Sequence, residues 1–180
     1  MDLTEETLSV KEIFKGRIIT VTHDDVLLPD GKEAKREVVR HPGGVCVAPL
    51  TDKDELIFVR QYRYPYGEVT LELPAGKLER GEDVTLAAKR ELSEETGAEG
   101  ELIYLGEMYP TPGYVDEIIR LLVAPKLSYG DMHTDDDEFI ETVRIPLEKA
   151  VEMALDGTVK DGKTIILILK INEMKRRGEL

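Results

Sequence analysis

Residues 83–96 constrain this chain more than any other stretch, because they carry the period of a helix and turn glutamates toward its apolar side. Apolar residues upstream alternate; here they recur every three or four positions, which marks an amphipathic helix. Asp83 stands where an N-cap is expected and Gly97 where a helix closes. At 100° per residue with Glu91 at zero, Val84, Ala87, Ala88 and Leu92 fall at about +20°, −40°, +60° and +100°. On that scale Glu94 falls at about −60° and Glu95 at about +40°. The carboxylates share the sector of the apolar stripe. The chain must therefore bury this face and still find partners for charge, since an uncompensated carboxylate in a core is costly.

A run of charge is usually a solvated helix face. Two features argue against that here. Neighbouring glutamates repel each other, and Glu94 and Glu95 sit near the negative end of the helix dipole. A local rule broken this openly marks a functional site. Hard divalent cations are the natural compensation, and an all-oxygen ligand set selects Mg²⁺ or Mn²⁺ over zinc. Ala87 and Ala88 are small enough for backbone or substrate to approach.

The wider segment, residues 76–98, reads Gly76, five residues, Glu82, seven residues, then Arg90-Glu91-Leu92-Ser93-Glu94-Glu95-Thr96-Gly97-Ala98. It resembles the Nudix box at every specified position. With seven fixed identities at residue frequencies of roughly 7%, a chance match in one window is on the order of one in 10⁸. The resemblance implies the Nudix α/β/α sandwich, an α+β fold with a mixed sheet and the box helix packed against it. It implies hydrolysis of a P–O–P bond, with Glu91, Glu94, Glu95 and the backbone carbonyl of Ala75 as metal ligands. Arg90 is expected to orient the carboxylates through bidentate hydrogen bonds. Gly76 is expected to use backbone angles closed to other residues, Glu82 to sit favourably at the helix start, and Gly97 to end the helix.

The resemblance extends over most of the chain. Tyr109-Pro110-Thr111-Pro112-Gly113 is similar to a loop of ADP-ribose pyrophosphatases, in which a proline follows the box by about fifteen residues; Pro112 lies fifteen past Gly97. Residues 157–165, Gly-Thr-Val-Lys-Asp-Gly-Lys-Thr-Ile, resemble that subfamily's C-terminal segment. By the same similarity Glu138, in the acidic run Asp135-Asp136-Asp137-Glu138, matches the loop glutamate proposed as general base, with Asp137 and Glu141 as neighbouring alternatives. Arg36 and Arg63 match nucleotide- or phosphate-binding positions, where a guanidinium grips phosphate bidentately; Glu117 is placed with Pro112 among the substrate-binding residues. A strand-edge surface pair is the competing reading for both arginines. The expected substrate is ADP-ribose, split to AMP and ribose 5-phosphate. A GDP-sugar, NADH, a dinucleoside polyphosphate or a non-hydrolytic ADP-ribose sensor are the alternatives, the last disfavoured by the intact box.

Composition bounds the rest. At 180 residues the chain has the size of one domain. A net charge of −13 opposes binding to nucleic acid or anionic lipid, but not to an anionic substrate that brings a cation. Cys46 is the only cysteine and reads as a core residue. His23, His41 and His133 lack metal-ligand spacing. No apolar stretch is long enough to span a membrane, and the acidic N-terminus lacks a signal-peptide core; a cytoplasmic protein is expected. Residues 17–28 and 34–41, flanking Pro29-Asp30-Gly31, read as an antiparallel hairpin. Residues 44–50, 56–63, 69–73, 101–108 and 117–124 read as further strands. Residues 146–155 read as a helix with Pro146 in its first turn, and the ambiguous run 162–177 as a helix. Residues 1–42 are expected to form an N-terminal strand and hairpin region that serves dimerisation, and 43–180 the hydrolase domain. Tyr62, Tyr64 and Tyr66 offer aromatic faces for adenine or, more commonly, for packing at a subunit contact of a homodimer.

Overall fold

The computed structural model describes residues 2–130 and 139–180. Glu138, Asp135, Asp136, Asp137 and His133 lie outside the described residues. The chain divides into two compact units, Met1–Gly43 with Tyr109–Ile118, and Gly44–Met108 with Ile119–Leu180.

The first unit is an antiparallel sheet of β1 (Glu6–Lys15), β2 (Thr20–Leu27) and β3 (Glu33–Arg40), with β2 in the middle. The hairpin of β2 and β3 falls where the Pro29-Asp30-Gly31 turn places it. The sequence suggests a strand and hairpin region over 1–42 but delimits no strand before residue 17, where β1 lies. Its register against β2 shifts between Thr7 and Ser9 and again between Glu12 and Phe14. Two such irregularities break the period-2 pattern on which strand recognition rests. Every residue of β1 is exposed, including Leu8, Val10, Ile13 and Phe14. Tyr109–Ile118 is tied to β3: Val39 N–H donates to Tyr114 O (2.8 Å) and Asp116 N–H to Val39 O (3.1 Å).

The second unit is a layered sandwich. Strands β4 (Gly44–Pro49), β5 (Glu55–Arg63), β6 (Glu68–Glu72) and β7 (Ala75–Lys77) precede helix α1 (Val84–Thr96). After it come β8 (Ala98–Gly100), β9 (Ile103–Met108), β10 (Ile119–Ala124), β11 (Leu127–Tyr129), β12 (Ile140–Pro146), α2 (Leu147–Leu155) and α3 (Gly162–Arg176). The mixed sheet runs β7-β4-β10-β9, with β4 and β10 parallel and the outer pairs antiparallel. A second, antiparallel sheet runs β12-β5-β6. Alternate residues of the central strands serve two cores. Val45, Val47, Leu122 and Ala124 pack with Ala87, Ala88 and Leu92 of α1. Cys46, Ala48, Leu121 and Val123 pack with Leu147 and Ala150 of α2 and Leu167, Ile168 and Ile171 of α3. Strands buried on both faces lose alternation and become apolar runs, as Val45-Cys46-Val47-Ala48 does. Pro146 is the N-cap of α2 and the last residue of β12, one position earlier than the sequence suggests; lacking an N–H, it leaves no donor to satisfy there. Among the described residues no helix is long and apolar enough to cross a membrane.

Candidate functional site

The site is built where β7 meets α1. Asp83 caps the helix, its Oδ1 accepting from Thr85 N–H (2.9 Å) and Leu86 N–H (3.1 Å). Gly97 closes it at φ 65°, in the left-handed region that glycine enters without strain. With both ends fixed, the Ala87, Ala88 and Leu92 face locks onto β4 and β10 and carries Glu91 and Glu95 inward. These two are 7% and 2% exposed, whereas Glu94 is half-buried. The buried sector centres on the positive side of Glu91, so Glu94 falls at its rim.

β7 supplies the opposing backbone. Its register sets Ala75 against Cys46 and Gly76 against Val45. Ala75 N–H donates to Glu95 Oε2 (3.1 Å). The role of Gly76 differs from the expectation. Its backbone is not in the left-handed region, which among the described residues is occupied by Asp54 and by other glycines, Gly81 included. Gly76 is required by close approach: a Cβ there would overlap the Glu91 carboxylate.

Arg90 organises the outer side. It donates from Nη1 to Glu91 Oε1 (2.8 Å) and Glu94 Oε2 (3.0 Å), and from Nε and Nη2 to the two oxygens of Glu82 (3.1 and 3.2 Å). Glu82 precedes the N-cap, and its Oε2 also accepts from Glu79 N–H (2.9 Å). Glu82 therefore acts by anchoring Arg90 and the loop, rather than through the helix dipole. The hydrogen bonds Arg90 donates to Glu82, together with the charge of Glu91 and the bonds to Glu94 and Glu91, raise its pKa despite partial burial, so it stays a cation at every accessible pH.

A second cluster, absent from the sequence reading, lies at the end of β6. Glu72 is 3% exposed and accepts four hydrogen bonds. Arg63 Nε and Thr70 Oγ1 donate to Oε1 (both 2.6 Å), and Arg63 Nη2 (2.7 Å) and Lys163 Nζ (2.5 Å) to Oε2. Burial alone would raise this carboxyl, but the donors outweigh it and hold it at about 2. A depressed pKa contributes stability that is complete above the ordinary carboxylate value and vanishes as pH falls through the folded one. From the ordinary 4.5 to about 2, this is worth on the order of 3 kcal/mol. The gap in melting temperature between wild type and Glu72→Gln is therefore expected to be full above about pH 5 and to narrow steadily toward pH 2. A pH-independent gap would mean that Glu72 is not held ionised by these partners.

Arg63 is thus neither a surface pair nor a free side chain; half its guanidinium is spoken for by Glu72. Arg36, Pro112 and Glu117 belong to the first unit. Arg36 forms a bidentate pair with Glu5, Nε to Oε2 at 2.9 Å and Nη2 to Oε1 at 2.5 Å. Glu117 Oε1 lies 3.3 Å from His41 Nδ1, which accepts from Gly43 N–H. Glu141 is exposed and pairs with Arg60 across β5 and β12 (2.6 Å). Cys46 is fully buried, and burial pushes its thiol far up, leaving it inert. Tyr62, Tyr64 and Tyr66 are all exposed.

Among the described residues no three His, Cys, Asp or Glu side chains are gathered closely enough to hold a metal ion. The donor chemistry nevertheless fits a hard divalent cation. Glu91, Glu94 and Glu95 are all-oxygen donors on adjacent turns of one face, and the space above Gly76 that a methyl would fill is occupied by a carboxylate.

A layered α/β/α unit with an acidic helix face set against a glycine of the neighbouring strand defines a class, and the chain belongs to the Nudix family. The NUDIX domain model matches residues 39–167. The model for the nucleoside diphosphate sugar hydrolase N-terminal domain matches residues 5–39. The chain is 42% identical to the methanol dehydrogenase activator of Bacillus methanolicus, over 91% of this chain and 90% of that one. It is 41% identical to the ADP-ribose pyrophosphatase of Bacillus subtilis (strain 168), over 92% and 91%. A crystal structure described as an ADP compounds hydrolase superposes over 100% of both chains with a TM-score of 0.86, at 25% identity. The chain is an enzyme of the Nudix hydrolase class, whose members generally use divalent metal ions.

Proposed function

We propose that this enzyme hydrolyses the pyrophosphate bond of ADP-ribose in the presence of Mg²⁺, releasing AMP and ribose 5-phosphate, with Mn²⁺ able to substitute. The observation that carries the proposal is the inward carboxylate face of α1, held by Arg90 and Ala75 in a chain similar over 92% of its length to an ADP-ribose pyrophosphatase. Glu91, Glu94, Glu95 and the Ala75 carbonyl would hold the cation. When bound there, a hard divalent cation supplies Lewis-acid neutralisation of the diphosphate charge. Arg90 fixes the Glu91 and Glu94 oxygens so that they need not reorganise during reaction. Arg36, Arg63, Pro112 and Glu117 are assigned to substrate binding. A nucleoside diphosphate sugar is the second reading, favoured by the family model that matches residues 5–39. Turnover of a panel of nucleoside diphosphate derivatives with Mg²⁺, with products identified, decides between them. Fastest cleavage of a GDP-sugar would displace ADP-ribose, and binding without turnover would make the chain a sensor.

Glu138 is proposed as the general base. Glu138→Gln is expected to lower kcat and kcat/KM together by about 10²–10⁴-fold, since a base contributes mainly in the transition state. Asp137→Asn and Glu141→Gln are the controls; Glu141 already carries an Arg60 partner, so its variant is expected to stay near wild type. Loss of turnover in Glu141→Gln alone would move the base there.

We further propose that residues 1–42 serve dimerisation, 43–180 forming the hydrolase domain, and that the enzyme is a cytoplasmic homodimer that binds no nucleic acid. The exposed apolar residues of β1 and the exposed Tyr62, Tyr64 and Tyr66 support the dimer. An unpaired thiol at Cys46 suits a reducing compartment. Light scattering at micromolar concentration is expected to give twice the 20.3 kDa chain mass; a monomer would remove the dimer.

A further inference from the structure

The turn Asp161-Gly162-Lys163-Thr164 at the start of α3 takes no part in the chemistry above, yet it is bonded to the strand that leads into the site. Asp161 caps the helix, its Oδ2 accepting from Thr164 N–H (3.0 Å). The fully buried Thr164 accepts at Oγ1 from Leu73 N–H (2.8 Å). Lys163 Nζ donates to Glu72 Oε2 (2.5 Å) and Asp161 Oδ1 (2.9 Å). One helical turn thus pins residues 72 and 73, and Ala75, two residues on, donates to Glu95.

Glu72 in turn fixes one edge of Arg63. It takes Nε and Nη2 and leaves Nη1 with no partner among the described residues. The Arg63 side chain is 37% exposed while its Glu72 partner is 3% exposed, so the carboxylate is enclosed and the guanidinium still reaches solvent. A guanidinium bound to a single carboxylate forms a neutral pair and attracts anions weakly. Lys163 places a second cation on the same carboxylate, and Asp161, bonded to the same ammonium, offsets it, so the cluster is neutral and the contribution of Lys163 is to hold Glu72, and through it Arg63, in place.

We propose that Glu72 and Lys163 are positioning residues for substrate binding: together they hold Arg63 with its open Nη1 edge toward an anionic oxygen of the nucleoside diphosphate. This rests on the hydrolase reading of the site. Arg63 acts on the substrate, and the other two act through Arg63.

The test is a double-mutant cycle read as KM against kcat, on the panel substrate turned over fastest. Arg63→Ala is expected to raise KM by about 10–100-fold, the range of charge-assisted hydrogen bonds, with kcat changed less. Lys163→Met is expected to raise KM about tenfold and Lys163→Arg to restore it. In the Arg63→Ala background Lys163→Met should add less than about a twofold effect, because positioning has nothing left to position. Effects that simply multiply, or a Lys163→Met that lowers melting temperature while leaving KM untouched, would overturn the proposal. Should Lys163→Met fail to fold, Arg63→Lys keeps the charge without the fork and is expected to match Arg63→Ala; wild-type KM in Arg63→Lys would overturn the proposal. Calorimetric binding of AMP across the same cycle reads the coupling without turnover. An inactive wild type would therefore count against the hydrolase reading, while the AMP cycle still judges the positioning.

Discussion

Glu95→Gln is expected to remove nearly all divalent-dependent turnover while leaving the fold intact. The two effects separate because of how Glu95 is held. Its Oε2 accepts from Ala75 N–H, and a glutamine carbonyl oxygen accepts from the same donor, so the contact between α1 and β7 survives. What is lost is one negative charge at a position 2% exposed, on the face that also carries Glu91 one turn earlier. Without a cation that charge is a burden, since glutamates four apart repel. The variant is therefore expected to melt no lower than wild type in chelator. With a cation the balance reverses. Wild type should gain melting temperature as the ion is titrated, by linkage, and the variant should gain much less. Lewis-acid stabilisation is worth several kcal/mol, so kcat/KM should fall on the order of a thousandfold. Full activity in the variant, or in excess chelator, would sink the metal site.

Gly76→Ala is expected to cost about a hundredfold in kcat/KM, the scale of misplacing a catalytic group by about an ångström, with melting temperature changed by only a few degrees. The added methyl would claim the volume that Glu91 now occupies. What must yield is the end of a flexible side chain rather than backbone, so the strand stays and the carboxylate moves. Glu91 would then leave Arg90 Nη1 as well, loosening the contact that also holds Glu94. Near-wild-type turnover in Gly76→Ala would show that the position of Glu91 is immaterial. A collapse in stability would show that Gly76 serves the backbone after all.

Much of this was legible in one dimension because the box helix is a local object. Its caps, period and inward sector depend on residues close in the chain, and simple rotation arithmetic puts all three glutamates on the apolar side; the structure buries Glu91 and Glu95 and leaves Glu94 half-buried. The illegible parts depend on distant chain. Glu72 ends a strand in which Val69 is exposed and Glu72 is buried, the reverse of what an apolar–polar alternation suggests. Its burial rests on Arg63, nine residues back across the hairpin, and on Lys163, 91 residues on. β1 escaped because its irregular register scrambles the alternation and no side of it is buried to enforce one. The need for glycine at 76 comes from Glu91, a neighbour in space rather than in sequence. Glu138 lies outside the described residues and stays where the resemblance put it.

The bond from Leu73 N–H to Thr164 Oγ1 has a bearing on how the molecule is made. Every residue of the acidic face is synthesised by position 95, in the first part of translation. The chain leading into the strand that faces it cannot be locked then, because the hydroxyl that receives the Leu73 amide and the ammonium that helps hold Glu72 have yet to leave the ribosome. β4 likewise waits for β10, whose paired residues come 75 positions later. Closure of such distant pairs is slow compared with helix formation. The carboxylate helix, 13 residues long and marginal on its own, therefore has its bracing only once α3 emerges, and a truncation before residue 161 is expected to leave it unbraced.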